Sequence, residues 1–340
     1  MDNQNIPDFS HLADEEDELS YSLRPETLSE FIGQDRGKEQ LRIHIEAAKK
    51  RGDALEHVLL VSPPGLGKTT LARIIANEIR SNFKQTIGPV MERLDLASTL
   101  TNLEKGDILF IDEIHQMKGH VQESLYPAME DYQLDLTIGQ GPASDSVQIP
   151  LQHFTLVGAT TREGLLAGPF RDRFGIRLHL DYYEAEDIQK VIRINSSKLD
   201  IDIDEDAEYA LARRSRGTMR IANKLLANVR DYAQVKGDGI LSLEVAEAAL
   251  KFFGIDERGL NAQDYAYFQT LIENFSGRAG VKALAVALSE DERTIREVYE
   301  PYYIKEGFLA LTPGGRVATD AAYAYFNYPM SSQPSFFDSM

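Results

Sequence analysis

A glycine-rich loop follows a short apolar run and has the spacing of a phosphate-binding loop. Residues 58–61 are Val-Leu-Leu-Val, and residues 62–70 are Ser-Pro-Pro-Gly-Leu-Gly-Lys-Thr-Thr. The glycines let the backbone turn its N–H groups toward anionic oxygens, Lys68 can reach the outer phosphates, and the Thr69 hydroxyl is placed to bind Mg²⁺. Such loops usually begin with glycine, where this chain has Ser62. The residues of the predicted ATP site are Gly65, Leu66, Gly67, Lys68, Thr69 and Thr70.

A second motif supplies the carboxylates that nucleotide hydrolysis needs. Residues 108–113 are Ile-Leu-Phe-Ile-Asp-Glu, which indicates a buried strand followed by two acids. Asp112 would hold Mg²⁺ through water, and Glu113 would polarise the water that attacks the γ-phosphate. An acidic strand end is common alone but improbable in combination with a phosphate-binding loop. The two motifs together predict an ATPase in which Lys68, Asp112 and Glu113 are catalytic.

The composition limits the classes of protein to which the chain can belong. Its 340 residues include no cysteine and carry a formal net charge of −18. There is no disulfide or thiolate chemistry, and no apolar run reaches the roughly 20 residues of a membrane span, so we expect a cytoplasmic protein with no membrane partner. The charge argues against bulk adhesion to nucleic acid, so any DNA contact must be local. Residues 1–20 hold seven acids and no Lys or Arg, which indicates a disordered acidic tail.

The apolar patterns divide the rest of the chain into three domains and a tail. In residues 21–183, short strands alternate with helices such as one over 35–50, which indicates an α/β fold with a parallel sheet. Residues 184–256 have helical periodicity throughout, as expected of a small lid domain. Residues 257–328 show helical segments followed by a strand–turn–strand pattern, which predicts a winged helix. The Ser- and Pro-rich segment 329–340 is expected to be disordered.

Alternating apolar residues on both sides of a Gly-Gln-Gly-Pro turn at 139–142 predict a β-hairpin. Its stripes, in 134–138 and 147–151, could pack on the sheet or form an exposed docking surface, and the sequence leaves both readings open. Residues 154–161 predict a further buried strand, which ends in Thr161. Ligands of parallel sheets bind at the carboxyl ends of strands, which is where the two ATPase motifs and Thr161 are expected.

Several further segments resemble, in their order and spacing, the RuvB family of bacterial Holliday-junction branch-migration motors, which are AAA+ ATPases. The resemblance extends over about residues 20–327. It implies an AAA+ sheet domain, a helical lid, a C-terminal winged helix, and ATP-driven branch migration in DNA recombination and repair. The segments that carry it, besides the two ATPase motifs, are 23–25 (Leu-Arg-Pro), 32–34 (Ile-Gly-Gln), 126–131 (Tyr-Pro-Ala-Met-Glu-Asp), 158–162 (Gly-Ala-Thr-Thr-Arg), 171–175 (Arg-Asp-Arg-Phe-Gly) and 220–223 (Arg-Ile-Ala-Asn).

The resemblance also implies roles for side chains outside the two motifs. Thr161 would act as sensor 1 on the γ-phosphate or the lytic water, and Arg220 would be the sensor 2 arginine of the lid. Arg173 would be an arginine finger that reaches the ATP of a neighbouring subunit. A surface ion pair is the alternative for each arginine, and Tyr183 could equally be an ordinary half-buried aromatic. The further ATP-binding residues that the resemblance implies are Leu23, Arg24, Glu130, Asp131, Tyr132 and Tyr183.

The resemblance implies partners as well. An arginine that acts in trans requires a ring, so we expect a homo-hexamer through which duplex DNA of a Holliday junction passes. A RuvA-like junction-binding protein would dock on the hairpin at 133–152, where Val147 and Ile149 are the apolar candidates. A junction resolvase is a further expected partner. ATP and Mg²⁺ are the expected cofactors.

The chain departs from the family in its wing. Members usually carry Gln-Arg-Thr-Pro-Arg-Gly-Arg, whereas residues 310–316 are Ala-Leu-Thr-Pro-Gly-Gly-Arg, so two arginines are missing. Arg316 and Arg293 remain as the expected DNA-binding residues. Residues 257–328 hold seven Lys or Arg against ten Asp or Glu, so this domain is not a basic patch. The alternative function is therefore an AAA+ interaction module, in which ATP controls assembly on a protein partner.

Overall fold

The computed structural model shows two compact units, Met1–Tyr183 and Glu184–Met340. The second unit thus includes both the predicted lid and the predicted winged helix. The acidic segment 1–20, the hairpin turn and residues 330–340 lie outside the described residues, so the disorder expected of the two tails stays a prediction. None of the described helices combines the length and the apolar character that crossing a membrane requires. The residues that the structure describes are 23–138, 145–237 and 239–329.

The first unit is built on a parallel sheet, as the sequence predicts. Its strands are β1 (Val58–Val61), β2 (Phe83–Ile87), β3 (Ile108–Asp112), β6 (Thr155–Thr160) and β7 (Ile176–His179). Among the described residues their order is β2-β3-β6-β1-β7, and β4 (Gln133–Ile138) and β5 (Asp145–Pro150) form a separate antiparallel hairpin. The helices are α1 (Asp35–Arg51), α2 (Lys68–Ile79), α3 (Arg93–Thr101), α4 (Gly119–Glu130) and α5 (Gly168–Arg171). Short 3₁₀ turns lie at Gly88–Val90, Ile114–Gln116 and Glu163–Leu165.

The central strands are buried along most of their length, which explains why they are continuous apolar runs in the sequence. Because the strands are parallel, their carboxyl ends lie at the same end of the sheet. Val61 pairs with Thr160, and Ile111 pairs with Gly158, so the residues after β1, β3 and β6 meet there. The core that packs on the sheet includes Leu59, Leu109, Ile111, Ile114, Phe154, Leu156, Phe170 and Phe174.

The opposite end of the sheet is fixed by His57, the residue that precedes β1. Its Nε2 lies 3.1 Å from the carbonyl oxygen of Met129, and the Leu156 amide donates to its Nδ1 at 2.9 Å. Burial lowers the pKa of His57 to about 4, so the ring stays neutral near pH 7. This histidine therefore joins the C-terminal turn of α4 and strand β6 to the amino end of β1.

The hairpin prediction is confirmed, and its apolar stripes are partly packed on the sheet and partly exposed, while docking on them stays a prediction. The backbone pairs Leu134 with Ile149 and Leu136 with Val147. Leu134 is buried and Ile149 packs against the core of the sheet, whereas Val147 is 41% exposed. The stripe on β5 therefore anchors the hairpin with one residue and presents the other to solvent.

The second unit begins with helices and ends in a winged helix. Its first helices are α6 (Ala185–Lys198), α7 (Glu205–Arg214), α8 (Met219–Lys236) and α9 (Leu243–Phe252). The helices that follow are α10 (Ala262–Gln269), α11 (Val281–Leu288), α12 (Glu292–Thr294), α13 (Glu300–Lys305) and α14 (Asp320–Tyr325). The strands β8 (Arg278–Ala279), β9 (Leu309–Thr312) and β10 (Gly315–Ala318) form a sheet in the order β8-β10-β9.

The winged-helix part has an aromatic core in which Tyr267, Phe268, Tyr303 and Phe308 are buried. Its helices differ in detail from the prediction. A helix is expected near 294–298, but the helical stretch extends from α12 through a π-helical turn, Ile295–Tyr299, into α13. Pro301, the second residue after this turn, has no N–H to donate, which favours a local change in hydrogen-bond register.

A buried ion pair joins the lid helices to the winged helix. Arg216, between α7 and α8, donates to both carboxylate oxygens of Asp264 at 3.1 and 2.5 Å, and the two side chains are 11% and 2% exposed. The Arg216 Nε donates to the Gly259 carbonyl, and the Tyr303 hydroxyl donates to Asp264 at 2.6 Å. Because each polar group of this contact has a partner, it can hold the two parts in a fixed arrangement.

Candidate nucleotide site

The phosphate-binding loop lies at the carboxyl end of β1, as predicted. Gly65 and Gly67 have φ values of 82° and 97°, which side chains with a Cβ rarely adopt. A Cβ at Gly67 would also approach the Phe31 ring to 3.2 Å. Gly67 is the N-cap of α2, so the loop leads into a helix N-terminus that favours anions. The backbone therefore has the conformation and the dipole that bind phosphate oxygens.

Lys68 is buried, and its ammonium group is held by the loop itself. Nζ donates to the carbonyl oxygens of Ser62 and Pro63 at 2.9 and 3.1 Å, and it lies 3.3 Å from the Ser62 hydroxyl oxygen. Ser62, which stands where such loops usually have their first glycine, thus contacts the Lys68 ammonium group through its carbonyl and hydroxyl oxygens. Its amide donates to the Thr160 carbonyl at 3.1 Å, which extends β1 by one residue. These contacts of Nζ hold the ammonium group at the phosphate-binding loop.

The two predicted acids and Thr161 come together at the same end of the sheet. The Thr161 hydroxyl donates to the Glu113 carboxylate at 3.3 Å, and the Glu113 amide donates to Asp112 at 2.9 Å. Glu113 has a φ of 49°, a left-handed conformation that is uncommon for a residue with a Cβ. A Cβ at Gly88 would collide with the Glu113 carbonyl, so glycine is needed in the 3₁₀ turn that follows the neighbouring strand β2. Strain of this kind is characteristic of functional sites.

The ATP-binding roles that the resemblance implies for Leu23, Arg24 and Tyr183 stay predictions, and the structure shows where these residues lie. Tyr183 is buried, and its hydroxyl donates to the Leu66 carbonyl at 3.1 Å, so it supports the back of the phosphate-binding loop. Leu23 is buried and Arg24 is half-buried before the first helix. The sequence analysis missed Phe31, whose ring packs against Gly67. An aromatic residue this distant in the chain gives no local signal of that contact.

Glu130, Asp131 and Tyr132 lie at the wrong end of the sheet to bind ATP in the loop of their own subunit. They follow Met129, whose carbonyl is bound by His57 at the amino end of β1. The loop begins at the other end of this four-residue strand, which is about 10 Å long. That these residues bind ATP stays a prediction, and from this position they could only contact the nucleotide of another subunit. The resemblance rests on the order of segments in the sequence, which does not determine at which end of the sheet these residues lie.

Arg173 lies at this same amino end. Its chain continues into β7, where the Ile176 amide donates to the His57 carbonyl. The guanidinium donates to Glu130 at 2.9 Å and to the Pro169 carbonyl, and it lies 4.6 Å from the centre of the Tyr126 ring. Arg173 is thus separated from its own phosphate-binding loop by the length of the sheet.

The remaining predicted site residues lie in the second unit. Arg220 is exposed on the first turn of α8, beside Met219, and its role as sensor 2 stays a prediction. Arg293 is also exposed and forms an ion pair with Glu297 one helical turn away.

Arg316 does not have the exposed position expected of a DNA contact. Its guanidinium donates to both oxygens of Glu300 at 2.7 and 3.0 Å, and the two side chains are 13% and 3% exposed. This pairing raises the pKa of Arg316. The Tyr267 hydroxyl also donates to Glu300. The arginine therefore compensates a buried carboxylate, and its prediction as a DNA-binding residue is not supported by this geometry.

Comparison with known proteins decides which family has these features. The family described as Holliday junction DNA helicase RuvB P-loop domain matches residues 23–180, the RuvB AAA lid domain matches 183–256, and the RuvB C-terminal winged helix domain matches 257–327. The chain belongs to the RuvB family. A solved structure of the Thermotoga maritima RuvB Holliday junction branch migration motor is 46% identical, with a TM-score of 0.84, and the match covers 91% of this chain and 99% of that one. A mutant of the same Thermotoga maritima protein is 45% identical with the same TM-score and coverage.

Membership of the RuvB family identifies the loop and the two acids as parts of an AAA+ P-loop ATPase domain that binds nucleotide. The wing without two of its usual arginines and the buried Arg316 are therefore features of a RuvB protein. The family match extends through the wing, so the missing arginines do not reflect a different fold.

We predict that substitutions of Lys68 and Glu113 affect different steps, ATP binding and ATP hydrolysis. Lys68→Ala should weaken ATP binding by about 10-fold or more, because it removes a charged hydrogen-bond donor to phosphate. Glu113→Gln should bind ATP normally but hydrolyse it about 100-fold more slowly, because the amide cannot polarise water. Nucleotide titration and phosphate release measure the two effects. Normal hydrolysis in both variants would contradict the assignment of the site.

We predict that Arg316→Ala destabilises the protein. The substitution leaves the Glu300 carboxylate buried without its cation, so the free energy of unfolding should fall by about 3 kcal/mol. Arg293→Ala is the matched control, because its exposed ion pair contributes less than about 1 kcal/mol. Denaturant unfolding of the full chain measures both. Equal effects of the two substitutions would contradict a structural role for Arg316.

Proposed function

We propose that this protein is an ATP-driven DNA motor that moves Holliday junctions by branch migration in recombination and repair. The observation that carries the proposal is the consecutive match to the P-loop, lid and winged-helix domains of RuvB over residues 23–327. A chain with this set of domains, and with 46% identity to a Holliday junction branch migration motor, has the parts that couple ATP hydrolysis to movement on DNA. The work is expected to take place in the cytoplasm.

Each residue of the nucleotide site has a defined task in this proposal. The N–H groups of the phosphate-binding loop and Lys68 bind the phosphates, and Glu113 orients and polarises the attacking water. Thr161, which donates to the Glu113 carboxylate, responds to the γ-phosphate or the lytic water. Thr69 and Asp112 are a hydroxyl and a carboxylate, the donors that Mg²⁺ uses beside nucleotide phosphates. When bound, Mg²⁺ neutralises negative charge on the phosphate oxygens.

The position of Arg173 supports a ring. It lies at the amino end of the sheet, whereas the phosphate-binding loop lies at the carboxyl end, so Arg173 is positioned to serve a neighbouring subunit rather than its own. Glu130, Asp131 and Tyr132 share that end and would face the same neighbour. In the single subunit Glu130 binds the Arg173 guanidinium. Subunit contact would have to draw the arginine away from this carboxylate, and a homo-hexamer is the assembly we propose.

DNA contact must be made by exposed cations rather than by Arg316. Arg278, Lys282, Arg293 and Arg296 are exposed in the winged-helix part. Arg293 and Arg296 are paired with Glu297 and Glu292, so DNA must displace these acids. We therefore expect weak binding of duplex DNA with a shallow dependence on salt, since few phosphates are neutralised.

A partner protein would then increase the local concentration of the motor on junctions. Val147, exposed on the hairpin, remains a candidate contact for a RuvA-like junction-binding protein. Ile149 is a weaker candidate, because it packs against the core of the sheet. A junction resolvase is a further proposed partner.

Dissociation of a synthetic four-way junction tests the function. The full-length protein with ATP and Mg²⁺ should separate the junction into duplex arms, faster when a RuvA-like protein is present. Glu113→Gln is the control, because it should bind nucleotide without turnover. If the protein hydrolyses ATP but leaves the junction intact at every concentration of the partner, the AAA+ interaction module becomes the better explanation. Its motivation is the depleted wing and the net charge of −18.

We predict that Arg173 acts in trans. Arg173→Ala should lower ATP turnover by about 1,000-fold with little effect on nucleotide binding. Mixing it with Lys68→Ala protein should restore part of the turnover, because the intact arginine of one subunit completes the intact loop of another. Arg177→Ala, which removes a neighbouring arginine from its ion pair with Asp172, is the control. No recovery at any mixing ratio would contradict the trans role.

A further inference from the structure

His115 contacts the catalytic carboxylate, although neither ATPase motif includes it. It lies in the 3₁₀ turn Ile114–Gln116, directly after the end of β3, and its side chain is 3% exposed. Its Nδ1 is 3.3 Å from Oε2 of Glu113 and 2.9 Å from the hydroxyl oxygen of Thr160. Oε2 of Glu113 also accepts from the Thr161 hydroxyl. One oxygen of the catalytic carboxylate therefore lies between a buried imidazole and the proposed sensor.

The surroundings of the ring favour a proton on Nδ1. The Thr160 hydroxyl oxygen already accepts from the Arg162 amide at 2.9 Å, and it has a second lone pair for the imidazole. A protonated Nδ1 can donate toward both this oxygen and the Glu113 carboxylate, whereas an unprotonated Nδ1 would direct its lone pair at a negative charge. The ring thus connects the tip of β3, which carries the catalytic acid, to the tip of β6, which carries the sensor.

We propose that His115 is a positioning residue for ATP hydrolysis, which fixes the Glu113 carboxylate in the orientation that activates water. Backbone geometry alone cannot do this. The left-handed φ of Glu113 and the close approach of Gly88 fix the main chain, but the side-chain torsions of a glutamate remain to be set. His115 and Thr161 set them from two sides. Because His115 also binds Thr160, a shift of the sensor strand is transmitted to the carboxylate.

A simple structural role is the competing explanation, because a buried histidine between two strands could serve only to stabilise the sheet. The two roles differ in what they predict. A structural histidine would change stability and nucleotide binding together with turnover, whereas a positioning histidine would change kcat while the Kd for ATP stays the same. This inference rests on the proposed function in one respect only: it requires that the protein hydrolyses ATP. Turnover without junction dissociation would overturn the motor proposal and leave the role of His115 open to the same measurement.

The test compares three substitutions at this position with a matched histidine elsewhere. His115→Ala should lower kcat by about 10–100-fold, as loss of an orienting partner does, with an unchanged Kd for ATP. His115→Asn places an amide where Nδ1 lies and should recover much of the loss. His115→Gln places its amide near Nε2 instead and should not. His120→Asn, at an exposed residue of α4, is the control and should behave as the unmodified protein.

A double variant separates positioning from an independent contribution. If His115 acts through Glu113, His115→Ala combined with Glu113→Gln should be no slower than Glu113→Gln alone. Thermal unfolding of each variant shows whether it is folded, and His115→Asn keeps the test valid if His115→Ala is not. The proposal is overturned by an unchanged kcat in His115→Ala, by equal recovery with Asn and Gln, or by full additivity in the double variant.

Discussion

The parallel register of the central strands is the constraint on which the rest of the first unit depends. Parallel pairing of β1, β3 and β6 brings three sequence segments to one end of the sheet, although about 50 residues separate each from the next. These segments are the phosphate-binding loop after β1, the acids Asp112 and Glu113 at the end of β3, and Thr161 after β6, to which the proposed function assigns ATP binding and hydrolysis. A slip of one residue between β3 and β6 would turn alternate side chains to the opposite face and would separate Thr161 from Glu113.

The parallel sheet also has an amino end, which lies opposite the phosphate-binding loop. Whatever is placed at the amino ends of β1 and β7 cannot reach the nucleotide of its own chain, because the strands are rigid spacers between the two ends. Arg173 and Glu130 meet there, supported by His57 and its bonds to α4 and β6. In the ring proposed above, each subunit would contribute its phosphate-binding loop to one site and Arg173 to the next, through a head-to-tail, heterologous interface that closes into a ring.

The sequence predicts features that depend on local patterns and misses those that depend on pairing across the fold. The two ATPase motifs, the parallel sheet, the hairpin and the winged helix follow from glycine spacing and apolar periodicity. Phe31 and His115 were not found, because each lies beside a recognised motif and its contact with the site depends on how the chain folds rather than on its spacing in the sequence. The burial of Arg316 could not be read from the sequence for a physical reason: its partner Glu300 is buried at the start of α13 beside Tyr267, and a buried carboxylate requires a compensating cation.

The Arg216–Asp264 pair has a consequence for how the second unit unfolds. Separation of the lid from the winged helix would expose two opposite charges and would break the bonds to Gly259 and Tyr303 as well. The two parts should therefore protect their amides from hydrogen exchange as one cooperative foldon, although they match two separate family domains. Since Arg216 lies three residues before α8, the winged helix is joined to the start of that helix and should move with it as one body.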